Sequence, residues 1–207
     1  MGLATKSSES GTTLFYDSHA QDYCESTVHL DLHEFHEPFV KELRPGSHIL
    51  DAGCGSGRDS KEFLKRGYRV TAIDASPQLA RLATAYTGQK CEVLAFQEMQ
   101  FREEFDGIWA CASLLHVPPR DIKDVMTRFI QALKPGGVFY ISLKEGQGER
   151  IADDGRFFNY YTRDSFRELL AGYPTLREIA FWKSPEIRSL RHREPWLNLL
   201  LIKTIER

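Results

Sequence analysis

Apolar and polar positions along the chain follow two alternating rhythms. Leu32, Phe35, Phe39, Val40 and Leu43 recur at helical spacing across residues 31–43, and Arg44-Pro45-Gly46-Ser47 ends the run. Residues 48–52 (HILDA) form a short apolar run that predicts a strand, and it breaks into GCGSG before a helical stretch at 61–65. The alternation then repeats. YRVTAID (68–74) reads as a strand, and Ser76-Pro77 supplies a cap and a first-turn proline for a helix with Leu79, Leu82, Ala83 and Tyr86 on one face. CEVLAF (91–96) and FDGIWACA (105–112) read as strands. Residues 119–134 read as a helix, and VFYISL (138–143) as a strand after Pro135-Gly136-Gly137. Strands alternating with helices imply a parallel sheet with helices on both faces.

The pattern changes after Lys144, because residues 145–156 are polar, Gly-rich and acidic, which predicts a loop over the sheet's edge. A helix near 163–171 and two extended segments, 176–182 and 196–203, complete the chain, with a basic stretch at 183–193 between them. Residues 1–13 hold almost no apolar side chain and read as a disordered leader. The expected division is one domain, 14–207: N-terminal lid helices at 14–45, a cofactor-binding half at 46–145 and an acceptor-side half at 146–207.

Composition narrows the class. The 207 residues carry 27 Lys plus Arg against 29 Asp plus Glu, a net charge of −2, so the basic excess of a nucleic-acid binder is missing. No apolar run reaches the ~18 residues of a membrane span, and the start lacks a secretory signal, so the expected location is cytoplasmic. Cys24, Cys54, Cys91 and Cys111 stand singly, without CxxC pairs, which argues against a disulfide framework or a thiolate zinc site.

ILDAGCGSG sets Gly53, Gly55 and Gly57 at a strand-to-helix junction, where a tight turn brings backbone close to a ligand and the helix start offers unpaired N–H groups. Asp74, 21 residues after Gly53, ends the second strand, where a carboxylate can accept both hydroxyls of a ribose. A dinucleotide prefers G-x-G-x-x-G; this chain has G-x-G-x-G preceded by Asp51, a poor neighbour for a pyrophosphate and a sensible one for an ammonium or sulfonium. The expected cofactor is S-adenosylmethionine.

The blocks ILDAGCGSGRDS (49–60), VTAIDAS (70–76), FDGIWACASLLHVP (105–118) and LKPGGVFYIS (133–142) resemble class I S-adenosylmethionine-dependent methyltransferases. GCGSGRDS, LLHVP and the lead-in Tyr16, Ala20, Tyr23 more narrowly resemble the small tellurite-resistance-type enzymes. The resemblance implies a Rossmann-like, seven-stranded, mostly parallel sheet with the last strand antiparallel. It also implies that Gly53, Cys54, Gly55 and Gly57 line the methionine end, with Asp51 near the sulfonium or amino group, Asp74 on the ribose and Ala75 beside the adenine. Relatives often place an Asp at the end of the third strand to read adenine. Ala95 stands there in this chain, so Phe96, Gln97 and Glu98 are expected to serve, with Gln97 the foremost side chain. Tyr16 and Tyr23 lie in a segment that folds over the cofactor in relatives; the same residues could simply pack the first helix. Arg58 is expected at the methionine carboxylate, the alternative being a local ion pair with Asp59, and Ala112 is expected at the cofactor.

The acceptor side follows from the rule that open parallel sheets bind ligands beyond their strand C-termini. His116, just past the fourth strand, can serve as a general base or bond backbone at the strand end. His116 and Tyr16 are the candidate catalytic residues. Phe157, Phe158, Tyr160 and Tyr161 could wall an acceptor pocket or join the core, and Arg188, Arg191, His192 and Arg193 could hold an anion or form a solvated loop. His29, His33 and Glu37 could share a helix face, but H-E-x-H lacks the zinc-protease spacing, so no metal is expected. The D/N/S-P-P-Y/F segment of DNA methylating relatives is missing after the fourth strand. The reading is therefore methyl transfer to a small molecule by a monomer or weak homodimer, with no nucleic-acid or membrane partner. A non-catalytic S-adenosylmethionine-binding regulator and a nicotinamide-dependent oxidoreductase are the alternatives.

Overall fold

The computed structural model describes residues 11–187 and 194–205. Three short helices come first: α1 (Gly11–Ser18), α2 (Ala20–Thr27) and α3 (His33–Val40). Residues 11–13, placed by sequence in the leader, belong to α1, and Thr12 is buried where its Oγ1 accepts the Phe157 N–H at 2.8 Å. Helix α3 is shorter than the 31–43 periodicity predicts. The alternating half follows as β1 (His48–Ala52), α4 (Arg58–Lys65), β2 (Arg69–Asp74), α5 (Pro77–Thr87), β3 (Cys91–Val93), β4 (Phe105–Ala110), α6 (Pro119–Ala132) and β5 (Leu133–Lys144).

Local chemistry explains several boundaries. Ser76 caps α5 by accepting the Leu79 N–H, Pro77 begins the helix, and Gly88 ends it at φ +78°. Helix α6 stops two residues sooner than expected because Leu133 pairs with Phe105. Strand β5 thus takes in the Pro135-Gly136-Gly137 turn, and its register against β4 shifts between Phe105 and Gly107. The predicted loop at 145–156 is corrected in part: β6 (Glu149–Ile151) pairs antiparallel with β7 (Phe157–Asn159). Helix α7 (Arg163–Ala171), strand β8 (Leu176–Ser184) and strand β9 (Trp196–Lys203) complete the fold.

The main sheet runs β3-β2-β1-β4-β5-β9-β8. The first five strands are parallel, and β9 is antiparallel to both its neighbours, β5 and β8. This is the expected seven-stranded Rossmann-like sheet with an antiparallel last strand. Its interior strands are apolar on both faces because both are covered. Leu50, Ile108, Phe139 and Leu201 pack with α6 and α7, while their neighbours Ile49, Trp109, Tyr140 and Leu200 pack with Phe39 of α3 and Phe63 of α4. Trp109 and Tyr140 stack at 3.9 Å. Helices α1 and α2 lie against α5, above the C-terminal ends of the parallel strands. Among the described residues, no helix is long and apolar enough to cross a membrane.

Candidate functional site

The junction of β1 and α4 needs its glycines. Gly53, Gly55 and Gly57 have φ of +76°, +55° and +76°, the left-handed region that Cβ-bearing residues disfavour. Space adds a second requirement, since a Cβ on Gly53 would lie 2.5 Å from Ser113 Cβ and one on Gly55 would lie 3.0 Å from the Tyr23 ring. Asp74, at the end of β2, accepts the Gly55 N–H and the Ser76 N–H, each at 2.9 Å. The predicted ribose acid and the glycine loop are thus joined directly. Burial raises the Asp74 carboxyl above its usual range, and the N–H bonds from Ser76 and Gly55 oppose that shift.

Asp51 is 2% exposed and accepts the Ser60 hydroxyl at 2.6 Å. Burial first, then the Asp59 charge, pushes it up to about 7. Asp59 behaves in the opposite way. It receives Arg58 through two bonds of 2.9 and 2.8 Å, Trp109 Nε1 at 3.0 Å and His36 Nε2 at 3.0 Å. Burial would raise Asp59, but the Arg58 charge and the bonds from His36 and Arg58 prevail and hold it well below the usual carboxylate range. Arg58 therefore makes the local ion pair, while bordering an open cleft of about 550 Å³.

That cleft lies at the strand C-termini between α2, α3 and the β8–β9 end. Tyr23, Phe35, Cys111, Ala112, Ser142 and Trp196 are among its walls. Ala112 takes φ +53°, a strained value for alanine, and its N–H goes to Ser142 Oγ at 2.7 Å. Exclusion of water first, then the Asp59 charge, pushes the Cys111 thiol up to about 12. Cys54 is raised well above its ordinary value, chiefly by its contact with Cys91, then by burial.

The two candidate catalytic residues meet next to Tyr23, one wall of this cleft. Tyr16 lies on α1, and its hydroxyl is 3.0 Å from His116 Nε2; His116 Nδ1 is 2.7 Å from the Phe157 carbonyl oxygen. A carbonyl can only accept, so Nδ1 carries the proton and Nε2 accepts from Tyr16. The backbone bond of the structural reading is present, and the other ring nitrogen faces the Tyr16 side chain. The Tyr16 ring packs edge-on against Tyr23 at 5.2 Å, which ties the pair to the glycine loop.

The adenine-side residues divide. Phe96 reaches the loop, its ring edge 3.4 Å from where a Gly53 Cβ would stand, whereas Gln97, Glu98 and Ala75 are exposed. Phe158 and Tyr161 are buried core, and His33 pairs with Glu37 at 3.2 Å while His36 turns inward. Among the described residues, no three His, Cys, Asp or Glu side chains gather as metal ligands. Arg188, Arg191, His192 and Arg193 lie outside the described residues.

Two participants escaped sequence reading. Asp17 accepts Ser76 Oγ at 2.8 Å and the Gln78 N–H at 2.9 Å, capping α5 from α1. Arg156 grips Asp154 and lies over the rings of Phe15, Phe158 and Tyr16 at 4.5, 5.3 and 5.8 Å. A half-buried neighbour for Tyr16 has no local sequence signal; only the fold brings the start of β7 to α1.

A family described as a methyltransferase domain matches residues 49–137. The ubiquinone biosynthesis O-methyltransferase of Xanthomonas campestris pv. campestris is 33% identical over 108 residues, covering 47% of this chain and 43% of that protein. The likeness thus spans less than half of that relative's length. Among solved structures, the 1,6-didemethyltoxoflavin-N1-methyltransferase of Burkholderia thailandensis, with 1,6-didemethyltoxoflavin and S-adenosylhomocysteine bound, aligns at TM-score 0.74. It is 25% identical over 93% of this chain and 88% of that one. A [4+2]-cyclase aligns at TM-score 0.72 with 14% identity, covering 94% of this chain and 95% of that one, which is a likeness of fold. In its strand order, its glycine loop joined to Asp74 and these matches, the chain is similar to S-adenosylmethionine-dependent methyltransferases.

Proposed function

We propose that the protein transfers a methyl group from S-adenosylmethionine to a small-molecule acceptor. The observation that carries this reading is the bond from the Gly55 N–H to Asp74, which sets a ribose-binding carboxylate against a loop that only glycines can form. The cofactor's parts fit the residues present. Asp74 would hold the ribose, the Gly53–Gly57 backbone and Arg58 the methionine end, and Phe96 a face of the adenine. S-adenosylmethionine supplies an electrophilic methyl group when bound.

The chain's own groups would do the rest. Tyr16 and Tyr23 would cover the loop and exclude water, and the cleft walls would align the acceptor; alignment alone can contribute several kcal/mol, up to roughly 7–11 in intramolecular models. His116 Nε2, already accepting from Tyr16, is placed to receive a proton. An aromatic hydroxyl acceptor is the class suggested by the Xanthomonas relative, whose name states O-methylation in ubiquinone biosynthesis. The narrower tellurite-type likeness rests on sequence blocks alone.

Calorimetry with S-adenosylmethionine, S-adenosylhomocysteine and NAD tests the cofactor. Binding of NAD without either adenosyl compound would sink the reading. The cyclase neighbour keeps a second reading in view, because this fold also serves chemistry other than methyl transfer. Labelled-methyl transfer across phenols, amines, thiols and selenite separates an enzyme from a non-catalytic binder.

A further inference from the structure

We infer that Arg156 is a positioning residue for Tyr16, and that Arg156, Tyr16 and His116 together fit the site to acceptors that lose a proton as they are methylated, such as a phenolic hydroxyl. The second half rests on the methyl-transfer reading; the first does not. Three observations converge. The Tyr16 hydroxyl donates to His116 Nε2, and His116 Nδ1 is fixed as a donor by the Phe157 carbonyl. The Arg156 guanidinium lies over the Tyr16 ring, 5.8 Å from its centroid, while Asp154 takes its Nε and Nη2 groups at 2.7–3.1 Å. Phe15 and Phe158 lie against its faces, so neither the cation nor the phenol is at liberty to swing.

The chain of bonds has one direction. The Phe157 carbonyl can only accept, so His116 Nδ1 keeps its proton and the Tyr16 hydroxyl points its own proton at Nε2. A proton arriving at the Tyr16 oxygen from an acceptor hydroxyl would send the tyrosine's proton on to Nε2. The acceptor oxygen meanwhile bonds the methyl carbon, the carbon–sulfur pair remains on sulfur, and the imidazolium formed keeps its Nδ1–H on the Phe157 carbonyl. Charge and atoms balance without a further reactant. An acceptor that is already an anion, such as selenite, gains nothing from the relay.

The test has two arms. In the first, 15N-histidine spectra of the cofactor-free protein are compared for wild type, Tyr16→Phe, Arg156→Gln and Arg156→Lys, with the His116 signal identified by its loss in His116→Asn. The Nε2 resonance is expected to move in Tyr16→Phe and in Arg156→Gln, and to return toward wild type in Arg156→Lys. An unmoved resonance in folded Arg156→Gln overturns the positioning role.

In the second arm, labelled-methyl transfer to hydroquinone and to selenite is measured. Arg156→Gln is expected to lower kcat with hydroquinone at least ~10-fold, within the range of proton-transfer catalysis, while calorimetric affinity for S-adenosylmethionine stays within about twofold. Methylation of selenite but not hydroquinone overturns the acceptor class. Absence of S-adenosylmethionine binding would instead remove the proposed function, and the first arm would still decide the role of Arg156.

Discussion

Tyr16 and His116 stand 100 residues apart in sequence and share a 3.0 Å hydrogen bond, the tyrosine from the first helix and the histidine from the turn after β4. The bond ties the helix that packs on Tyr23 beside the glycine loop to the turn after β4. On the proposed reading, this single contact would serve both closure and proton handling.

Tyr16→Phe and His116→Ala are expected to slow methyl transfer to a hydroxyl acceptor by about 10²-fold or more, with S-adenosylmethionine affinity little changed in His116→Ala. Single-turnover rates beside calorimetric affinities check this. A rate within about twofold of wild type in folded His116→Ala would leave the histidine only its bond to the Phe157 carbonyl.

Asp74→Ala removes the acceptor of the Gly55 and Ser76 N–H groups as well as the proposed ribose partner. Affinity for S-adenosylmethionine is expected to fall at least tenfold, about 1.4 kcal/mol. Unchanged affinity in a folded variant would move the cofactor away from β2.

Gly53→Ala and Gly67→Ala share the left-handed backbone but differ in space. The first Cβ would lie 2.5 Å from Ser113 Cβ, whereas nothing stands within 4 Å of the second. Gly67→Ala should cost about 1–2 kcal/mol from conformation alone, and Gly53→Ala about 1–3 kcal/mol more from overpacking. Urea unfolding measures both, and equal costs would refute close packing of Ser113 on the loop.

Asp51 gives a pH dependence with a defined sign. Burial raises its carboxyl from the ordinary 3.8 to about 7 in the folded protein, so between those pH values the folded protein keeps a proton that the unfolded chain releases. Its contribution to stability therefore falls as pH rises from about 4 to 7 and is constant above. Asp51→Asn should gain thermal stability relative to wild type over that window. A Tm difference that does not grow between pH 4 and pH 7 would show that burial does not hold Asp51 protonated.

Much of this was legible in the sequence because the signals are local. HILDA, the glycine triplet and Asp74 declare themselves by spacing, and β1, β2 and their junction stand where the pattern puts them. Helix α5 was equally clear, since Ser76-Pro77 and Gly88 mark its ends. The β6–β7 ladder was hidden because its three-residue strands are too short to show alternation, and Glu149 and Arg150 read as loop. The reach of β5 back to Leu133 depends on a partner, Phe105, that no local rule names. Arg58 was divided between cofactor and ion pair for a similar reason: its pairing is settled by Trp109 and His36, which hold Asp59 from other elements. Asp17 and Arg156 work across the fold, so their neighbours in sequence say nothing of their partners.

The two shielded thiols have a consequence of their own. Cys54 sits inside the glycine loop and Cys111 beside the cleft, where the proposed reading brings an alkylating sulfonium. A thiolate in either place would compete with the intended acceptor and be modified in its stead. Contact with Cys91 and burial raise the Cys54 thiol, and burial pushes Cys111 up to about 12, so both favour the thiol at neutral pH. On the proposed reading, the fold would tolerate two nucleophilic atoms beside a reactive carbon by denying them ionisation, a form of protection against self-alkylation that resides in their surroundings.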